Sequence, residues 1–244
     1  MKKKYKILIF DLDDTLIDNL ENVRYAFQIM VEKQNEIYTD EKFIKWYQID
    51  NKFWKEWQDG LIELPEEFKS ETGEKSDGFL NWLRAQRALI YFDYSITLEE
   101  AIDLNNLYME SLTEVVIPIE GAYETLKYLS DKYTIVIATN GPKIAAKEKL
   151  SKINCLEFTA NVFSADMFGY MKPKIEFFEG LKKHYSDMEL DDYIIIGDSI
   201  KSDIVFGMNC GIDSCWFNKK GESLSDNYEA TIIITKLTEL KDIL

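Results

Sequence analysis

The chain carries a single histidine, His184, among its 244 residues. That scarcity argues against a zinc centre built on imidazoles and against a Ser-His-Asp triad. His184 lies in a charged helical stretch and reads as a surface residue. Cysteine is scarce too. Cys155, Cys210 and Cys215 are odd in number and lack metal-site spacing, so they read as reduced thiols of a cytoplasmic protein. No apolar run approaches the roughly 20 residues of a bilayer span, so no membrane partner is expected. The basic start, Met1-Lys2-Lys3-Lys4-Tyr5, leads into Ile7 to Phe10, a run too short for a signal-peptide core. Positive charge is in deficit: the formal net charge is -15, and the arginines are Arg24, Arg84 and Arg87. This argues against a nucleic-acid polymer as partner. Small anionic substrates stay open if a metal ion and a local lysine reverse the field.

What is present suffices for a large core, since 46% of the residues are hydrophobic. Two textures alternate along the chain. Residues 1–16 and 118–244 read as β/α repeats. Apolar runs at 7–10, 134–138, 161–164, 193–196, 214–217 and 231–234 are separated by helical patterns such as 121–133 and 174–185, the latter with Ile175, Phe178, Leu181 and Tyr185 on one face. Strand–helix alternation at this spacing predicts an α/β fold with a doubly wound parallel sheet.

Residues 17–117 instead carry helical stripes. Leu20, Val23, Phe27, Met30 and Val31 form one. Phe43, Trp46, Tyr47, Trp54, Trp57 and Leu61 form a second, and Phe79, Trp82, Leu83, Gln86 and Leu89 a third. Thr97-Leu98-Glu99-Glu100 has the form of a capping box that opens a fourth helix. The stripes predict a helical domain inserted into the α/β core. Asp50 interrupts the second stripe and is expected at an exposed helix edge; Arg84 and Arg87 are expected to face solvent. Glu71 to Gly78 reads as a solvated loop.

The chemistry-bearing residues follow the apolar runs. Asp11, Asp13, Asp14 and Thr15 begin where Ile7 to Phe10 stops, which in an open parallel sheet is where ligands bind. Carboxylates packed at one strand end repel one another, and a divalent cation relieves the repulsion. Thr139-Asn140-Gly141-Pro142 follows 134–138, and a hydroxyl with backbone N–H groups opening a helix makes a phosphate cradle. Lys172-Pro173 follows 161–164 and would hold a cation near the sheet edge, with Pro173 placed to begin a helix. Gly197-Asp198, with Asp203 five residues on, follows 193–196 and adds oxygens for a metal.

In this order, Asp11-x-Asp13-x-Thr15, Thr139, Lys172-Pro173 and Gly197-Asp198-x-x-x-x-Asp203 resemble the four motifs of the haloacid dehalogenase-like (HAD) hydrolase superfamily. The insert resembles its C1-type helical cap. The resemblance implies a Rossmann-like core and an Mg²⁺-dependent phosphatase acting on a small phosphorylated metabolite. It implies Asp11 as nucleophile and Asp13 as general acid and base. Thr139, Asn140, Gly141 and Lys172 would bind the phosphoryl group. The metal would be held by Asp11, Asp198 and the backbone carbonyl of Asp13, with Asp203 supporting a metal-bound water or Lys172. Asp14 takes a place that is glycine in many relatives and reads as local structure. The stretches 139–142 and 207–218 look most like the pyrimidine nucleotide 5'-monophosphatase branch, a house-cleaning 5'-nucleotidase, and also resemble the N-acylneuraminate-9-phosphatase branch. A sugar-phosphate phosphatase is the alternative, with a phosphomutase or a dehalogenase of the same superfamily further off. A non-catalytic module would be expected to have lost Asp11 or Asp13. A monomer or homodimer is expected.

Overall fold

The computed structural model describes residues 5–63, 65 and 77–244. The chain divides into two compact units, Met1–Leu20 with Val116–Leu244, and Glu21–Val115.

The first unit is built on a six-stranded parallel sheet. Its strands are β1 (Ile7–Phe10), β4 (Thr134–Thr139), β5 (Asn161–Ser164), β6 (Tyr193–Gly197), β7 (Asp213–Phe217) and β8 (Ile232–Ile234), in the order β5-β4-β1-β6-β7-β8. A short ribbon, β2 (Ile17–Asp18) paired antiparallel with β3 (Ile117–Pro118), stands apart from it. The run Ile7 to Phe10 is central because every side chain in it is buried, and alternate residues serve opposite faces. Leu8 and Phe10 pack with Leu126, Leu129, Ile135 and Leu150, while Ile7 and Ile9 pack with Phe163, Phe177, Leu181 and Phe206. Burying each such side chain contributes about 1.5–3 kcal/mol. The helices over these faces include α5 (Ala122–Ser130), α6 (Lys143–Lys152), α7 (Ala165–Phe168), α8 (Ile175–Lys182), α9 (Val205–Cys210) and α10 (Leu240–Ile243). This is the doubly wound, Rossmann-like arrangement. β1 lies between β4 and β6, so the ends of these three strands share one edge, at the point where strand order reverses.

One detail departs from the periodicity. α8 begins at Ile175, with Lys174 as its N-cap, and buries Phe177, Phe178 and Leu181, leaving Ile175 exposed. Pro173 therefore precedes the helix by two residues and does not open it.

The second unit contains most of α1 (Asn19–Lys33), with α2 (Asp40–Gln58), α3 (Asp77–Tyr91) and α4 (Leu98–Ser111). Its core gathers Val23, Phe27, Met30, Phe43, Trp46, Leu89, Leu104 and Tyr108. Trp46 stacks on Phe27 with ring centroids 5.6 Å apart. The stripes overshoot at two ends, where Leu20 and Leu61 are exposed, and Tyr47 within the second stripe is exposed as well. The capping box forms: the Glu100 N–H donates to Thr97 Oγ1 at 3.2 Å, and the Thr97 N–H donates to Glu100 Oε2 at 2.7 Å. The Thr97 N–H, with the Thr97 hydroxyl at 2.9 Å, holds the Glu100 carboxyl below its usual range. Asp77 and Gly78 of the expected loop belong to α3, while 71–76 lie outside the described residues.

Asp50 and Arg87 correct the sequence reading. Arg87 is buried at 4% exposure and forms an ion pair with Asp50, which is itself largely enclosed. It also donates to Asn105 Oδ1 at 3.2 Å. Helical periodicity marks a face but does not show that a partner 37 residues away will neutralise a charge on it.

Among the described residues, no helix is long and apolar enough to cross a membrane.

Candidate active site

The chain leaves β1 directly into Asp11, whose N–H donates to the Ile196 carbonyl of neighbouring β6 at 2.9 Å. This bond ties the first acid to the sheet edge. A tight turn follows. The Asp14 N–H donates to the Ile17 carbonyl at 2.8 Å, and Asp14 takes φ 63°. That left-handed backbone favours glycine and tolerates aspartate, which accounts for both residue types at this place. The Asp14 carboxylate accepts the Asn19 N–H at 3.2 Å, so it serves the start of α1. Burial raises its pKa.

Thr15 fixes the next acid. Its hydroxyl donates to Asp198 Oδ1 at 3.3 Å and accepts the Asp198 N–H at 3.1 Å. Trp216 Nε1 donates to the Asp198 carbonyl at 2.8 Å, holding the same residue from β7. Beyond β6 the chain turns through Ser199 into a wide, π-type helical turn, Ile200–Ile204. That turn brings Asp203 back onto the strand end. Its Oδ2 accepts the Ser199 N–H at 3.1 Å. A β-carbon at Gly197 would collide with the Asp203 carboxyl, so glycine is required there by close approach.

Lys172 closes the cluster. Its Nζ lies 2.7 Å from Asp11 Oδ1 and 2.7 Å from Asp203 Oδ1, and the side chain is almost wholly enclosed. Asn140 holds the lysine's own backbone: the Lys172 N–H donates to Asn140 Oδ1 at 2.7 Å, and Asn140 Nδ2 donates to the Lys172 carbonyl at 3.1 Å. The Asn140 side chain is thus a clamp between two loops.

Asp11, Asp198 and Asp203 can each place a carboxylate oxygen within 4.8 Å of the others. Three acids face one ammonium, and the imbalance shows in their protonation. Burial, opposed by Lys172 and reinforced by Asp203 and Asp198, raises the Asp11 carboxyl well above its ordinary range. Burial and the neighbouring charges of Asp203 and Asp14 push Asp198 up to about 7. Burial opposes the charge on Lys172, but Asp11 and Asp203 outweigh it and hold the ammonium charged. A divalent cation would relieve the excess negative charge, and an all-oxygen donor set suits a hard cation.

Asp13 points elsewhere. Its Oδ1 accepts Lys149 Nζ at 2.8 Å. A β-carbon at Gly141 would lie 3.3 Å from Thr139 Oγ1 and 3.9 Å from Asp13 Oδ2, so Asp13 and Thr139 face the same spot at Gly141. One N–H group of the expected cradle, that of Gly141, and the N–H of Lys143 just beyond it are engaged inside the fold. Gly141 donates to Thr139 Oγ1 at 3.0 Å, and Lys143 donates to Asp166 Oδ1 at 3.3 Å. Because Thr139 Oγ1 accepts the Gly141 N–H, its own hydroxyl proton is left to point away from that bond.

A protein-family model, haloacid dehalogenase-like hydrolase, matches residues 5–211. The chain is a haloacid dehalogenase-like hydrolase. Its relatives include YfnB, a HAD-hydrolase of Bacillus subtilis, 26% identical over 99% of this chain and 96% of that one. The pyrimidine 5'-nucleotidase YjjG of Escherichia coli is 23% identical over 99% and 98%. The glyceraldehyde 3-phosphate phosphatase of Pyrococcus furiosus is 26% identical over 99% and 94%. The crystal structure of YfnB shares the fold, with a TM-score of 0.84, 24% identity and 99% of each chain covered.

The structure thus gathers Asp11, Lys172, Asp198 and Asp203, and sets Asp13, Thr139, Asn140 and Gly141 beside one another. Lys149 escapes the motif-based reading. A signal existed: Ala146, Lys149 and Leu150 share the i, i+3, i+4 spacing of a buried helix face, and all three are buried.

Proposed function

We propose that this hydrolase is a cytoplasmic, Mg²⁺-dependent phosphatase that cleaves a nucleoside 5'-monophosphate, preferably a pyrimidine one. One observation carries the phosphatase reading. The carboxylate of Asp11 sits at the sheet edge with a fixed ammonium 2.7 Å away and an excess of acid around it. A dianionic phosphate approaches such a cluster only if cations offset it. Asp11 and Asp198, with the backbone carbonyl of Asp13, would hold Mg²⁺, and Asp203 would support the site from behind. When bound, Mg²⁺ would neutralise charge on the phosphoryl oxygens. The crystal structure of YfnB is described as bound to magnesium.

In the reaction, an Asp11 oxygen attacks phosphorus and the bond to the leaving oxygen breaks. Asp13 donates a proton to that oxygen, so the alcohol departs neutral and an aspartyl phosphate remains. Asp13, now a carboxylate, takes a proton from water as the water oxygen attacks phosphorus. The Asp11–phosphorus bond breaks, releasing phosphate and restoring both acids. The Thr139 hydroxyl, the Asn140 backbone N–H and Lys172 would hold the phosphoryl oxygens.

We assign the family's cap role, selection of the leaving group, to the helical segment 17–117. The nucleotidase relative YjjG supports a nucleotide. The archaeal glyceraldehyde 3-phosphate phosphatase, equally similar in identity to YfnB, supports a sugar phosphate as the second reading. A panel of dUMP, dTMP, UMP, ribose 5-phosphate, glyceraldehyde 3-phosphate and N-acetylneuraminate 9-phosphate separates them. Stacking a base on an aromatic face contributes about 1–3 kcal/mol. The nucleotides should therefore exceed ribose 5-phosphate by at least about tenfold in kcat/KM. If a phosphosugar or triose phosphate is turned over better than every nucleotide, the base is not read and the second reading replaces the first.

A further inference from the structure

Among the described residues of the α/β unit, two lysines are nearly closed to solvent, Lys172 and Lys149. The first belongs to the acid cluster. The second, on α6, has no place in the motifs, yet its ammonium reaches a carboxylate assigned to proton transfer.

We propose that Lys149 is a positioning residue for Asp13: by holding one carboxylate oxygen it aims the other at the anion-binding turn 139–141. The inference rests on the phosphatase reading above. Lys149 Nζ lies 2.8 Å from Asp13 Oδ1, and its side chain is 6% exposed against 32% for Asp13. The lysine is thus the anchored member of the pair. It sits on the buried face of α6 beside Ala146 and Leu150. Asp13 bridges to Ile17 just before the turn after β1, and its side chain is the more exposed of the two.

The geometry also distinguishes the two oxygens. An ammonium has donors and no acceptor. The oxygen it binds, Oδ1, is therefore the unprotonated one, and a proton carried by Asp13 resides on Oδ2. Oδ2 is the oxygen that faces Gly141 and, across it, the Thr139 hydroxyl. The lysine thereby places the transferable proton on the side where phosphate would be bound. Lys149 touches no reacting atom. Its contribution is orientation, and misplacing a reacting group by about 1 Å can cost about 100-fold in rate.

The test compares kcat on two esters, β-glycerophosphate, whose alcohol leaves poorly, and p-nitrophenyl phosphate, whose phenol leaves well. It uses wild type, Lys149→Met and Lys149→Arg, each also in an Asp13→Asn background. Lys149→Met should fold, since the charge it leaves behind is partly hydrated, and thermal unfolding checks this. We expect Lys149→Met to lower kcat on β-glycerophosphate by about 10–100-fold and on p-nitrophenyl phosphate several-fold less, with KM for both little changed. Lys149→Arg should recover most of the loss. In the Asp13→Asn background, Lys149→Met should change kcat by less than about twofold, because the residue it positions is gone.

An equal loss on both esters, or the same loss in both backgrounds, overturns the inference. So does a Lys149→Met enzyme indistinguishable from wild type while Asp13→Asn discriminates between the esters. In that case the phosphatase reading stands without it. A wild-type enzyme that releases phosphate from neither ester removes both.

Discussion

Each unit of the chain encloses a cation among acids, and the two do so differently. In the helical unit Arg87 meets one carboxylate, Asp50, and the neutral Asn105 Oδ1 at 3.2 Å. Its guanidinium lies 5.3–5.5 Å from the ring centres of Trp46, Trp54 and Tyr108. Charge is balanced there and the cation is walled by aromatic faces, which suits a packed core. In the α/β unit Lys172 meets two carboxylates at 2.7 Å, and Asp198 brings a third into the cluster. Charge is unbalanced by design of the strand ends, and folding alone does not relieve it. The comparison teaches that a buried ion pair by itself says little about function. The sign and size of the residual charge separate a structural pair from a site that awaits a cation.

The largest expected effect lies on the unbalanced side. Asp11→Asn keeps the shape of the side chain but removes the nucleophile and one negative charge. Turnover of p-nitrophenyl phosphate should fall by several powers of ten. Turnover near the wild-type level would mean that Asp11 is not the attacking group.

Stability should respond most on the balanced side. Arg87→Met leaves Asp50 without its partner inside the helical core, and breaking a buried pair from one side costs about 3–5 kcal/mol. Asp50 keeps some contact with solvent, at 14% side-chain exposure, so a value near the lower end is expected in urea unfolding. Mg²⁺ should not restore what is lost. Lys172→Met gives the contrasting result: the acids lose the ammonium 2.7 Å from two of them, and added Mg²⁺ should recover stability. If Mg²⁺ rescues Arg87→Met as fully, the contrast between the two clusters fails.

pH sets a third effect. The Asp198 carboxyl stands at about 7 in the folded protein against an ordinary 3.8. Between these values the folded state binds more protons than the unfolded one. Its contribution to metal-free stability therefore falls as pH rises through that window and levels off above about pH 7. Mg²⁺ competes with that proton, so it should stabilise more at pH 8 than at pH 6. Saturating a site about 100-fold above its Kd contributes about 2.7 kcal/mol, which corresponds to several degrees in Tm. A Tm gain that is equal at both pH values, or larger at pH 6, contradicts the assignment of the cluster.

The smallest effect concerns the helical unit again. Thr97→Ala removes the capping bond of α4 and should cost about 1 kcal/mol in urea unfolding. Turnover of p-nitrophenyl phosphate should not change. A drop in turnover would show that this end of α4 contributes to chemistry as well as to packing.

The α/β unit was the more legible of the two in sequence because its signals are local. Asp11, Thr139 and Asp198 each stand at or just after the end of an apolar run, so finding the run locates the residue. Lys149 was hidden by composition: it is one of four lysines between Lys143 and Lys152, and its burial depends on Ala146 and Leu150 beside it. The Asp50–Arg87 pair was hidden by separation, since nothing near either residue announces the other. The stripe put Ile175 on the buried face, but Ile175 is the first residue of α8 and stays exposed, while Phe177, Phe178 and Leu181 are buried. Local patterns tell which face is apolar, whereas pairing across the fold depends on tertiary packing that they do not contain.

The most direct test of the charge-imbalance account is calorimetric titration of Mg²⁺ into wild type, Asp198→Asn and Asp50→Asn, with phosphate release followed in the same samples before and after EDTA. The account predicts one bound Mg²⁺ and Mg²⁺-dependent release for wild type and Asp50→Asn. For Asp198→Asn it predicts binding and release lost together. Undiminished release after EDTA, or an Asp198→Asn protein that binds Mg²⁺ as wild type does, would contradict it.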